Sequence, residues 1–345
     1  MKITAVVDMQ FGSTGKGLMS GYLARKYPFD AVVTAWAPNA GHTFVDAFGK
    51  KTINIAFPTS ASVTNIPHVF IGPGSVINPE LLMMEMDHAA SSRATEPMVH
   101  IHEHAAVVSE LNRGVESTYG YKIGSTMKGV GEATIQKIAR MPDEMNIAGV
   151  RLIDTPLEKY LLSHPEYINM LSGMDQVLIE GAQGYSLGIN SGFYPYTTSR
   201  ECTIWQLMSD CAIPRMGVED IHVIGVARTY PIRVANRKDP INEFITYTSG
   251  PCYPDQSELA WADIGVEPEL TTVTKLPRRV FGLSLQQLRE AARMNYVDEI
   301  FLNFANYVED EDELRSMISN IESATGVPIS WLGYGPREDQ IKRRA

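Results

Sequence analysis

Three cysteines in 345 residues, Cys202, Cys211 and Cys252, form no CxxC spacing and cannot all pair. A disulfide framework or a structural zinc site therefore finds no support. Also missing is any apolar run near the ~18 residues needed to cross a bilayer, so no membrane partner is expected. Positive charge is short: 30 basic residues face 40 acidic ones, a net charge of −10. That balance repels a polyanion and excludes extended nucleic acid as a partner, but it leaves a free nucleotide admissible, because local cations and backbone amides can hold a phosphate. Repeats, low-complexity tracts and evident linkers are absent as well, which favours one domain over residues 1–345. The opening MKITAVVDMQFGSTGKG carries a strand-like run rather than a long apolar stretch ending at a cleavage site, and predicts a cytoplasmic protein.

What is present is an alternation of short β-branched runs with amphipathic stretches. The runs are Ile3 to Val7, Ala31 to Ala35, Val69 to Ile71, Gln176 to Ile179, His222 to Val226 and Glu299 to Phe304. Helical patterns include Pro79 to Ala90 and Leu283 to Met294, the latter with Ser284 as its cap. The pattern predicts an α/β fold with a mostly parallel central sheet flanked by helices. Phe44 to Phe57, with Gly49 and Lys50 in the middle, predicts a small hairpin beside it.

The first strand runs into Gln10-Phe11-Gly12-Ser13-Thr14-Gly15-Lys16-Gly17, and a helix pattern follows from Leu18. Strand, glycine-rich turn and helix N-terminus together aim backbone N–H groups and a lysine at an anion. The spacing is not GxxxxGK[ST], and such a turn also occurs as a plain tight connection.

Further motifs follow in order. They are Asn39-Ala40-Gly41-His42-Thr43, Gly124-Ser125-Thr126, Lys137 to Arg140, Glu180-Gly181-Ala182-Gln183-Gly184, Gly192 to Ser199, Arg233-Val234, Thr271 to Arg279, Thr325 to Ile329 and Gly333-Tyr334-Gly335-Pro336. With the first loop, they resemble the adenylosuccinate synthetase family over nearly the whole chain, and the resemblance implies that family's P-loop-like fold. It implies a ligase that phosphorylates O6 of a purine nucleotide and displaces the phosphate with the amine of aspartate. His42, Lys16 and Gln183 are then the catalytic candidates. Ser13, Asn39, Thr126, Arg140, Gln183, Thr198, Arg233 and Val234 would contact the purine nucleotide, with Arg140 reaching in from the other subunit of a homodimer. Gly12, Thr14, Gly15, Lys16, Gly17, Thr43, Asn306, Gly333, Gly335 and Pro336 would line the nucleoside triphosphate site. Thr271, Thr272, Lys275, Arg278 and Arg279 would close on aspartate, whose two carboxylates call for clustered cations. Mg2+ is the implied cofactor, at Ser13 and the Gly41 carbonyl. Tyr194 and Tyr196 are read as packing residues.

Two departures narrow the substrate. Ser13 stands where the family carries the aspartate that acts as general base, and a serine hydroxyl is not ionised near neutrality. Asn306 stands where the family's aspartate pairs with guanine of GTP, and Phe304 replaces a lysine. Both changes resemble the phage-encoded branch of the family, ligases of the diaminopurine DNA pathway that take dGMP with ATP or dATP. Guanine carries a 2-amino group that hypoxanthine lacks, and a short hydroxyl side chain leaves it room. The rival readings are an ordinary IMP- and GTP-dependent synthetase and a non-catalytic nucleotide binder. The run His100, His102, His104 would put three imidazoles on one face if it is a strand, a possible metal cluster to which the resemblance assigns nothing.

Overall fold

Residues 1–271 and 275–344 are described in a computed structural model of the chain. The β-branched runs become strands buried on both faces, as a parallel sheet covered by helices requires. At the centre lies β1 (Lys2–Asp8), hydrogen-bonded to Gln176–Glu180 on one side and Asp220–Arg228 on the other, both parallel to it. Beyond Gln176–Glu180 follow β2 (Ala31–Thr34), His68–Ile71, Met98–His102 and Leu161–Leu162. Beyond Asp220–Arg228 follow Glu299–Asn303, Ile329–Gly333 and Ile341–Arg343. Every neighbouring pair in this ten-stranded sheet is parallel except Ile329–Gly333 with Ile341–Arg343.

Side-chain alternation divides the core. Ile3, Val7, Val177 and Ile179 pack on one face, whereas Val6 and Leu178 pack on the other, with Leu18 and Met19 of α1 (Lys16–Lys26). The hairpin is formed by β3 (His42–Val45) and β4 (Lys51–Asn54). It is clamped to α1 because Phe44 fills the space over Gly21, where an added Cβ would lie 2.3 Å from the Phe44 ring. Burying that ring contributes roughly 2–3 kcal/mol. The hairpin ends earlier than the alternating sequence suggested. Its strand stops at Asn54 because the Glu85 carboxylate takes the N–H groups of Ile55, Ala56 and Phe57 at 2.8–2.9 Å. The helices Pro79–Ser91 and Leu285–Asn295 form where their patterns lie, and Ser284 caps the second by accepting from the Gln287 N–H.

The chain leaves β1 toward one edge of the sheet, returns at Gln176–Glu180, and then builds the opposite edge. Such a reversal opens a crevice beyond the carboxyl ends of the central strands. Four of those ends finish on a buried polar residue: Asp8, Glu180, Arg228 and Asn303, none more than 4% exposed. Polar groups placed so deep need partners, and the partners they find define the site.

At the far edge, His100 and His102 do lie on a strand, Met98–His102, while His104 falls in the turn after it. Their nitrogens pair instead with other imidazoles, His100 with His68 at 3.0 Å and His102 with His164 at 2.9 Å. Burial first, and neighbouring imidazoles second, push His100 and His102 down to about 4. Among the described residues no group of three or more His, Cys, Asp or Glu side chains is assembled to hold a metal ion.

Candidate active site

The first loop is knitted around one carboxylate. Asp8 Oδ1 accepts the N–H groups of Gln10 at 2.8 Å and Gly12 at 3.2 Å, while Oδ2 accepts the Thr14 hydroxyl and the Lys16 ammonium, the latter at 2.9 Å. Gln10 zips the loop to the next strand, donating to the Arg228 carbonyl at 3.1 Å and accepting the Arg228 N–H at 2.9 Å. Gly12, Ser13 and Gly15 all have positive φ, +84°, +57° and +107°. At Gly15 no side chain fits, because a Cβ would lie 2.2 Å from the Asn303 carboxamide. Asn303 in turn donates to the Thr14 carbonyl at 3.0 Å and so ties the end of its strand to the loop.

The EGAQG segment docks on this loop. Gly184 approaches so closely that a Cβ would sit 2.4 Å from the Gly12 nitrogen. Gln183, held at φ +59°, accepts from Lys16 Nζ at its carbonyl at 2.7 Å and donates through Nε2 to Asn39 Oδ1 at 2.7 Å. His42, one step beyond Gly41 at the start of β3, is 6% exposed and stacks on Trp36 with ring centroids 3.8 Å apart. Trp36 donates to the Glu180 carbonyl at 2.9 Å, and burial pushes the Glu180 carboxyl up to about 7 against the opposing Ser60 and Thr59 N–H groups. Burial first, and the Lys16 ammonium second, hold the His42 imidazole well below the ordinary histidine value. Both causes favour the neutral imidazole over the charged one.

Lys16, His42, Asn39, Gln183 and Thr14 thus converge around the first loop, with Gly17 packed directly against His42 and Thr43. Ser13 is exposed at its mouth. The strand from Glu299 ends at Asn303 rather than Phe304. The Asn303 side chain accepts the Phe304 N–H at 2.9 Å and turns Phe304 to φ +60°, leaving Asn306 exposed in the turn Ala305–Tyr307. Gly333 packs on Asn303, with Gly335 against the Gln340 side chain and Pro336 exposed just beyond.

Other predicted residues stand further out or are already engaged. Thr126 is half-buried, Thr198 donates its N–H to the Leu187 carbonyl at 2.8 Å, and Val234 accepts from Ser249 Oγ at 2.7 Å. The Arg233 guanidinium is buried, lies 4.5 Å from the Phe11 ring and donates to the carbonyls of Pro251, Tyr196 and Ser249. Arg140 is exposed at the end of the helix Val130–Ala139, donating from Nε to the Ile138 carbonyl at 3.2 Å. Arg279 is paired with Glu258 at 2.6 Å and donates to the Gly250 carbonyl at 2.6 Å. Arg278 is half-buried, and its guanidinium has its pKa lowered by burial, with Glu269 opposing. Thr271 is buried, Lys275 donates its N–H to the Thr271 carbonyl at 3.2 Å, and Thr272 lies outside the described residues. Tyr194, read from sequence as a packing residue, is 76% exposed.

Sequence reasoning missed Asp8, Trp36, Arg228, Glu269 and Asn303. The available signal was a charged residue closing an apolar strand, which Asp8 and Arg228 both show.

The family model for adenylosuccinate synthetase matches residues 5–148 and 143–315. The N6-succino-2-amino-2'-deoxyadenylate synthase of Salmonella phage PMBT28 is 43% identical, across 99% of this chain and 97% of the relative. Among solved structures, the cyanophage S-2L succinoaminodeoxyadenylate synthetase bound to dGMP and dATP superposes with a TM-score of 0.91. It is 38% identical, across 99% of this chain and 95% of that one. Adenylosuccinate synthetase from Plasmodium falciparum shares the fold, with a TM-score of 0.79 at 20% identity over 99% of each chain.

The His42 environment predicts its titration. Without ligands its imidazole NMR signals should titrate well below pH ~6.5. Lys16→Met should raise the midpoint, since a nearby positive charge is removed, yet leave it depressed, since burial is the larger cause. A midpoint at or above the ordinary value in the parent protein would contradict this environment.

Proposed function

The chain belongs to the adenylosuccinate synthetase family, and from that premise we propose that it joins L-aspartate to C6 of dGMP, driven by ATP or dATP. The products are N6-succino-2-amino-2'-deoxyadenylate, ADP or dADP, and phosphate, and the reaction takes place in the cytoplasm. The observation that carries this reading is an intact phosphate cradle whose mouth lacks its carboxylate. Asp8 lies beneath, committed to Lys16 and Thr14, while the residue exposed at position 13 offers only a hydroxyl. A hydroxyl accepts a hydrogen bond from a 2-amino group without the bulk of a carboxylate.

In the first step O6 of the purine attacks the γ-phosphoryl group, the N1 proton passes to solvent, and the bond to the nucleoside diphosphate breaks. Lys16 and the loop N–H groups offset the charge that develops, and Gln183 holds the 6-oxygen. In the second step the aspartate amine attacks C6 and phosphate leaves, with His42 giving a proton to the departing group. Arg278 is the better placed cation for the aspartate carboxylates, because Arg279 would have to release Glu258 first. Asn306, exposed on its turn, presents an amide to the triphosphate's base.

Mg2+ would be held by the Ser13 hydroxyl and the Gly41 carbonyl. Both are hard oxygen donors but neutral ones, so they fit a cation whose charge is met by the phosphates it arrives with. When bound, it would withdraw electron density from the transferring phosphoryl group.

Purified protein with aspartate, ATP and either dGMP or IMP should release phosphate with a kcat/KM for dGMP at least roughly tenfold above that for IMP, the scale of one well-placed hydrogen bond. Turnover of IMP but not dGMP would refute the assignment, and phosphate release with neither would favour a non-catalytic binder.

The homodimer reading rests on the exposed Arg140 beside a face bearing Ile135, Ile138, Met141 and Met145, all at least 47% exposed. Arg140→Leu and Lys16→Met proteins, each nearly inactive, should regain roughly a quarter of parental activity when mixed, because one site in a hybrid dimer keeps both residues. No recovery in a mixture shown to exchange subunits would place Arg140 outside its neighbour's site.

A further inference from the structure

Arg228 is the largest fully buried side chain among the described residues, and the mechanism above does not use it. It closes the strand Asp220–Arg228 with its guanidinium pointed under the crevice. Nη1 donates to the Ser13 carbonyl at 3.1 Å, Nη1 and Nη2 both reach the Glu269 carboxylate, and the guanidinium carbon lies 3.9 Å from the centre of the Phe304 ring. The Glu269 carboxylate also accepts a third hydrogen bond, from the Tyr307 hydroxyl at 3.2 Å, and its carbonyl accepts the Arg278 N–H at 2.8 Å. One side chain therefore touches the first loop, the turn that carries Asn306, and the segment entering the arginine-rich loop.

We propose that Arg228 is a positioning residue that, through Glu269, fixes the triphosphate turn and the aspartate loop relative to the first loop. The inference rests on the functional reading above for the identity of the ligands, but not for the geometry. A planar fork with a polarisable face can serve a carbonyl, a carboxylate and an aromatic ring at once, which an ammonium cannot. Stability alone is a weak explanation for such a pair. A buried ion pair is commonly no more stabilising than apolar residues of equal volume, and the Arg228 Nε has no hydrogen-bond partner among the described residues.

Steady-state phosphate release, with dGMP, ATP and aspartate varied in turn, tests the role in Glu269→Gln and Arg228→Lys. Glu269→Gln keeps the shape but weakens the grip, and should raise KM for aspartate and for ATP about tenfold with kcat and the KM for dGMP within about twofold. Arg228→Lys should raise all three KM values, because only the fork reaches Ser13. If Glu269→Gln leaves every KM unchanged and lowers only the thermal midpoint, the pair is a structural prop and the proposal fails. Should Arg228→Lys not fold, Glu269→Gln alone decides. The wild-type preference between dGMP and IMP, measured in the same assay, tests the substrate assignment separately.

Discussion

Burying the Asp8 carboxylate at the end of the central strand is costly unless its oxygens are fully used, and four donors from a nine-residue stretch use them. Three positive-φ residues within that stretch let the backbone curl tightly enough to bring those donors in. Lys16 is thereby held in place by Asp8, and after burial, the larger cause, its ammonium further lowers the His42 pKa. Removing one partner of such a buried pair leaves an uncompensated charge, a loss on the order of 3–5 kcal/mol. The loop, the lysine and the histidine are for this reason one unit rather than three residues.

That arrangement separates two jobs that one acidic loop residue would otherwise combine. The shape of the first loop is set by Asp8, inside the sheet, whereas position 13 is exposed at its mouth. On the proposed reading, a change of side chain at 13 can then alter which purine fits without disturbing the Asp8–Lys16 pair. The same separation occurs on the other side, where Asn303 shapes the turn from within and Asn306 faces outward.

The sheet was legible because its strands are apolar on both faces, and the hairpin because its alternation is interrupted by Gly49 and Lys50. Contiguous motifs marked the first loop, His42 and Gln183 as candidates, and the structure brings them together. What stayed hidden depends on residues distant in sequence. Arg228 reads as a charge ending a strand, and nothing local says that Glu269, Ser13 and Phe304 surround it. The hairpin ended early because Glu85, far along the chain, captures its backbone. Tyr194 has a ring that suggests packing, but it is exposed.

The central claim is that Asp8, not position 13, sets the phosphate cradle. Calorimetric titration of ATP without Mg2+ into Asp8→Asn and Ser13→Ala proteins tests it directly. Asp8→Asn should weaken ATP binding by at least about tenfold, whereas Ser13→Ala should leave it within about twofold, as expected when only one change disrupts a buried charge pair. Weak binding by the Ser13 variant together with normal binding by the Asp8 variant would contradict the account.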